Sequence, residues 1–159
     1  MTHRLPALCS TLLSVACAAA LGAQTSAPGL PPIKRFPTPQ AVVDEHLAAI
    51  NRCDWTRLMA QYPADVQFFL PGGKVVKGRP AVGDLFRDFV KPAKDGGLCG
   101  VKFTAEQTFV VGGTVNVQWR ATADFLAEPY VGADAYETKD GLMQAQMTTF
   151  DGAQVKMKK

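Results

Sequence analysis

Apolar positions recur with two different periods along this chain, and the change falls near residue 100. Up to that point the spacing is helical. Val43, His46, Leu47 and Ile50 stand three and four apart, which puts them on one face of a helix running from Pro39 to Arg52. Thr38 supplies an N-cap hydroxyl, and Pro39 sits where a helix tolerates proline best, in its first turn. Asp54 caps a shorter second helix through Ala60 that buries Trp55, Leu58 and Met59. Val66, Phe68 and Leu70 then alternate as a strand, and Pro71-Gly72-Gly73 turns the chain. Pro80 to Val90 forms a third helix with Val82, Leu85, Phe86 and Phe89 on one side, stopped at Lys91-Pro92.

From Val101 the period becomes two. Val101, Phe103, Ala105, Phe109 and Val111 share one face of a strand, with the polar Gln107 among them. Gly112-Gly113 turns the chain into Val115, Val117, Trp119, Ala121, Ala123 and Phe125, which alternate with polar residues. This is the signature of a half-buried antiparallel hairpin. A third run from Ala133 to Lys139 meets Leu142 to Phe150 across Asp140-Gly141. Helices first and a long meander afterwards predict an α+β fold, a curved antiparallel β-sheet wrapped around N-terminal helices.

The segment before Pro39 is of a different kind. Thr2-His3-Arg4, the Ala-rich apolar run Leu5 to Leu21, and Gly22-Ala23-Gln24 have the build of a signal peptide over residues 1–23, cleaved after Gly22 or Ala23. A lipid anchor on Cys17 is the alternative fate of this segment. Residues 24–38 carry four prolines and no periodicity, and read as a Pro-rich tether. Residues 39–159 make a single domain. The expected location is therefore secreted, in the periplasm.

Charge and cysteines narrow the picture further. Of 17 Lys and Arg, losing Arg4 leaves 16 against 14 Asp and Glu, a net +2, with no basic stripe to suit nucleic acid. Neither nucleic acid nor, without the lipid at Cys17, a membrane is an expected partner. Cys53 and Cys99 are the two cysteines left after the signal, an even count in an oxidising compartment, and are expected to pair. One mature histidine and two distant cysteines make no metal signature. No Gly-rich phosphate loop is present, and no cofactor is expected. The only serine after the signal, Ser26, lies in the tether, which excludes a serine-nucleophile triad.

The ordered set Asn51 to Leu58, Tyr62 to Phe68, Pro71-Gly72-Gly73, Gly78-Arg79-Pro80 and Leu85-Phe86, closed by Gly132 to Tyr136 and Asp140-Gly141-Leu142-Met143, resembles the nuclear transport factor 2-like superfamily. That superfamily includes the SnoaL-like polyketide cyclases and the ketosteroid isomerases. The resemblance covers residues 39 to 150 and implies a cone, the cystatin-like α+β barrel, with a cavity at its wide end and dimers formed through the outer face of the sheet. In the ketosteroid isomerases a first-helix tyrosine and a late-strand aspartate donate hydrogen bonds, and the matching positions here are His46 and Asp134. Their general base precedes the proline of the first strand, where this chain has Leu70, so isomerisation by that route is not expected.

What the resemblance implies is a domain that binds a small, mostly apolar molecule. His46 and Asp134 are the catalytic pair, the carboxylate orienting the imidazole for cofactor-independent proton transfer of the isomerase, dehydratase or cyclase type. Trp119, Trp55, Phe68, Leu70, Met143 and Met147 are expected around the cavity, with Tyr62 and Tyr136 as phenol donors. Gln107 is expected to meet a ligand, a neighbouring side chain or a local bulge, because an unpaired buried amide is costly. The alternative is a non-catalytic binding or dimerisation module whose cone is filled by its own side chains.

Overall fold

A computed structural model describes residues 29–159, so the signal-peptide segment and Cys17 lie outside the described residues. Three helices come first: α1 (Pro39–Ile50), α2 (Trp55–Met59) and α3 (Arg79–Phe89). The Thr38 hydroxyl accepts from the Ala41 amide and caps α1, while the Asp54 carboxylate accepts from the Arg57 amide and caps α2. Between α2 and α3 lie two short strands, β1 (Gln67–Phe69) and β2 (Val75–Lys77). Four longer strands follow as a meander: β3 (Lys102–Val111), β4 (Thr114–Thr122), β5 (Tyr130–Lys139) and β6 (Leu142–Thr148).

All six strands join one sheet in the order β2-β1-β6-β5-β4-β3. The neighbours are antiparallel except β1 and β6, which run parallel and place Gln67 beside Ala145. Alternation along the strands turns Val115, Val117, Trp119 and Tyr136 inward, where they meet Val42, Val43, Leu58, Met59 and Phe86 from the helices in one core. The architecture is α+β, one curved sheet over three helices. Among the described residues no helix is long and apolar enough to cross a membrane.

Two β-bulges interrupt that alternation. Ala105 pairs with Trp119 but Gln107 pairs with Gln118, which leaves Glu106 as an extra residue on β3. Glu137 pairs with Ala145 but Thr138 pairs with Met143, which leaves Gln144 extra on β6. Each extra residue moves everything beyond it to the opposite face of the sheet.

The disulfide joins Cys53, just after α1, to Cys99, just before β3, with their Cα atoms 5.6 Å apart. Residues 29–36 form neither helix nor strand and lie against the domain. The Lys34 amide donates to the Ala60 carbonyl and the Phe36 amide to that of Gly141. Arg79 donates to the carbonyls of Pro31 and Met59, clasping this strap to the end of α2.

Candidate functional site

Between the inner face of the sheet and the helices lies a cavity of about 300 Å³. Its walls are mostly apolar: Leu47 and Ile50 from α1, Phe86 and Phe89 from α3, Phe68 on β1 with Leu70 just after it, and Phe103 and Phe150 from the far side. Asp88 stands at the largely exposed rim, and five buried polar side chains project inward, His46, Asp134, Tyr136, Gln146 and Thr148. They form a connected cluster, which is the usual condition for polar groups to survive burial.

Asp134 is the hub. Its Oδ1 accepts from the Thr148 hydroxyl at 2.7 Å and the Trp119 indole at 2.9 Å. Its Oδ2 accepts from the Tyr136 hydroxyl at 3.0 Å and the Gln146 amide nitrogen at 3.1 Å. Register explains the convergence, because Asp134 lies directly across from Thr148 on β6 and from Val117 on β4. Gln146 in turn accepts from the Tyr62 hydroxyl at 3.2 Å, and the same hydroxyl stands 3.2 Å from His46 Nδ1. His46 and Asp134 are therefore joined through Tyr62 and Gln146; the expected direct contact between them is not made. The two residues come from opposite layers, and Tyr62 and Gln146 fill the space that separates them.

Burial governs the protonation states. His46 is 2% exposed, and loss of solvent lowers its pKa to about 3, so the ring is neutral. Burial raises the Asp134 carboxyl above the usual range, and its four hydrogen-bond donors oppose that rise. The phenols of Tyr62 and Tyr136 are pushed far above theirs, first by burial and then by the charge of Asp134, so both remain protonated donors.

The bulges relocate two of the residues expected here. Gln107 lies beyond the Glu106 bulge and is exposed on the outer face beside Gln118. Met147 lies beyond the Gln144 bulge and is 57% exposed on that same outer face. Neither meets the cavity. Trp119 is buried behind Asp134, and Tyr62 is buried behind His46; both hold the cluster without lining the cavity. Trp55 donates to the Gly83 carbonyl between α2 and α3, and Met143 packs in the core. His46, Asp134, Tyr136, Leu70 and Phe68 do line the cavity. Gln146 and Thr148 line it too but carry no signal of this in the sequence, because the Gln144 bulge turns them inward against the alternation counted from the Asp140-Gly141 turn.

Among the described residues no group of three or more His, Cys, Asp or Glu could hold a metal ion. What the arrangement offers is an apolar chamber with one neutral imidazole, backed by a buried carboxylate.

A curved sheet closed over three helices around such a chamber defines the cone-shaped nuclear transport factor 2-like fold. The profile of the SnoaL-like domain matches residues 43–146, and the chain belongs to that family. A nuclear transport factor 2-like protein of unknown function from Cytophaga hutchinsonii is similar in structure, with TM-score 0.59 at 15% identity, over 76% of this chain and 96% of that one. So is a candidate ketosteroid isomerase from Kribbella flavida, with TM-score 0.59 at 20% identity over 71% and 77%. A computationally designed 17-OHP binder aligns with TM-score 0.61 at 17% identity over 77% and 98%. Comparison with curated proteins finds no match.

Proposed function

We propose that this protein is an exported small-molecule domain that takes a mostly apolar ligand into its cone. There it catalyses cofactor-independent proton transfer of the isomerase, dehydratase or cyclase type through His46. The observation that carries this reading is the neutral His46 ring in the wall of an apolar cavity of about 300 Å³, backed by Asp134 through two intervening side chains. A filled cone would favour the module without chemistry, and the open volume argues against it. Leu70 stands where the resemblance would put a carboxylate base, so the proton-transfer role falls to His46, the imidazole in the cavity wall. The designed 17-OHP binder supports the use of this fold for binding a small molecule. The disulfide supports an oxidising destination.

The test is native mass spectrometry of the purified protein, with and without a Leu47→Trp substitution that fills the cavity. A retained small molecule that disappears in a folded Leu47→Trp variant is expected. Identical occupancy in both would refute the cavity as the ligand site.

A second copy of the chain is the partner this reading includes. Across the outer face one row runs Val75, Phe69, Met147, Ala135, Asn116 and Phe109, nearly all apolar. Met147 and Phe109 there are 57% and 53% exposed. Such a patch suits a dimer interface. Light scattering should give a dimer mass that Met147→Asp halves, and a monomer of the unaltered chain would refute the interface.

A further inference from the structure

The hydrogen bonds leading from Asp134 to His46 have a direction. Both Asp134 oxygens accept twice, from Trp119 and Thr148 and from Tyr136 and Gln146. The indole can only donate, and Thr148, Tyr136 and Gln146 each have a hydrogen to give to Asp134, so the set suits a carboxylate, which only accepts. Gln146 must then turn its NH₂ toward Asp134, because its carbonyl in that place would set two acceptors 3.1 Å apart. Its carbonyl oxygen therefore faces Tyr62 and takes that residue's single hydroxyl hydrogen. Toward His46, Tyr62 has only a lone pair left. The 3.2 Å contact is a hydrogen bond only when Nδ1 carries the proton.

A neutral imidazole has one N–H, and Tyr62 claims it. Among the described residues Nε2 makes no hydrogen bond. It is not sealed off either, since Gln61 Oε1 is the one enclosed side-chain polar atom without a partner among the described residues. We infer that His46 presents the bare lone pair of Nε2 to the cavity, so that the site selects ligands carrying a hydroxyl donor, an alcohol, phenol or enol, at one end of an apolar body. This inference rests on the cavity being the ligand site. It reverses the polarity the resemblance implies, in which the first-helix residue donates to an oxygen of the ligand. The Tyr136 and Thr148 hydroxyl hydrogens are already committed to Asp134. The second hydrogen of the Gln146 amide is the one in the cluster without an acceptor. A ligand hydroxyl can donate to Nε2 and still accept from such an amide; a ketone or ether oxygen can only accept.

Two measurements on the full chain test this. ¹⁵N-imidazole NMR at neutral pH, with His46 signals assigned by their loss in His46→Leu, reads the tautomer directly. Calorimetry then compares three probes of one shape class: 2-naphthol, 2-methoxynaphthalene and 2-acetylnaphthalene. The expected result is a protonated Nδ1, a bare Nε2, and naphthol bound at least about tenfold more tightly than the ether or ketone. A protonated Nε2, or a preference for the ketone, overturns the inference. Equal binding of all three overturns it while leaving the cavity as a ligand site. Binding of none, with the tautomer as expected, refutes the cavity reading and the ligand class with it.

Discussion

Mild acid should destabilise this protein through His46. In the unfolded chain the imidazole titrates near 6.5, whereas burial in the folded protein lowers it to about 3. Between those values the unfolded chain binds a proton that the folded one refuses. Stability therefore rises with pH across that window and falls as pH is lowered through it. At pH 7 the effect is near zero. At pH 5, roughly 1.5 below the free imidazole value, it amounts to about 2 kcal/mol, and it approaches about 5 kcal/mol near pH 3. Glu45, held below its usual range by its hydrogen bond to Arg57, loses stability in the same direction at lower pH. Asp134, raised by burial, acts oppositely, since its protonation on acidification favours the folded state. Both are present with or without His46, so the informative comparison is between the full chain and His46→Gln. Urea unfolding at pH 7 and pH 5 should show the unaltered protein losing about 2 kcal/mol more than the variant. Equal losses would mean that His46 is protonated or solvated in the folded state, and the neutral-imidazole argument would fall.

Three further outcomes follow from the same contacts. Asp134→Asn keeps the shape but replaces one acceptor oxygen by a donor, stranding at least two of its four partners; urea unfolding should register a loss of about 2–4 kcal/mol, and a loss under about 1 kcal/mol would refute the hub. Replacing both Cys53 and Cys99 by Ala opens a closure between residues 46 apart in sequence, worth about 4 kcal/mol in the chain-entropy picture. Unchanged stability of that double variant would show that the bond contributes nothing. Gly132→Ala would put a methyl 2.5 Å from the Trp119 ring and from Thr149 Oγ1. Trp119 should swing off Asp134 with a stability loss of about 1–3 kcal/mol, and an unaltered near-ultraviolet tryptophan band would count against this packing.

Helices and hairpins were legible because their signals are local. Val43, His46, Leu47 and Ile50 announce one face of α1, and Gly112-Gly113 and Asp140-Gly141 announce the turns. The cavity wall was only partly legible, since facing depends on counting residues without error. An extra residue at Glu106 or Gln144 changes no local propensity, yet it sends Gln107 and Met147 to the outer surface and brings Gln146 inward. Gln107 did carry a trace of this, as an amide out of place on an apolar face. The positions of His46 and Asp134 came from the resemblance, but the link through Tyr62 and Gln146 joins four elements of the chain that no spacing rule connects. The strap from Pro31 to Phe36 escaped for the same reason, being held by Ala60, Arg79 and Gly141.

The parallel pairing of β1 with β6 has a consequence for how the molecule is made. Gln67 to Phe69 pair on one side with Val75 to Lys77, close by in sequence, but find their other neighbour only at Ala145 to Met147, on the final strand of the meander. The chain can form α1, α2 and α3 while β1 still lacks its neighbour on one side. Gln146 and Thr148 arrive on that same final strand, so the chamber acquires its polar cluster in the step that seals the sheet. A ribosome-bound chain stopped before Leu142 would carry His46 on a nearly complete helical layer with Asp134 still short of two of its donors. Closing the sheet and assembling the cluster are thus one event, set by β6.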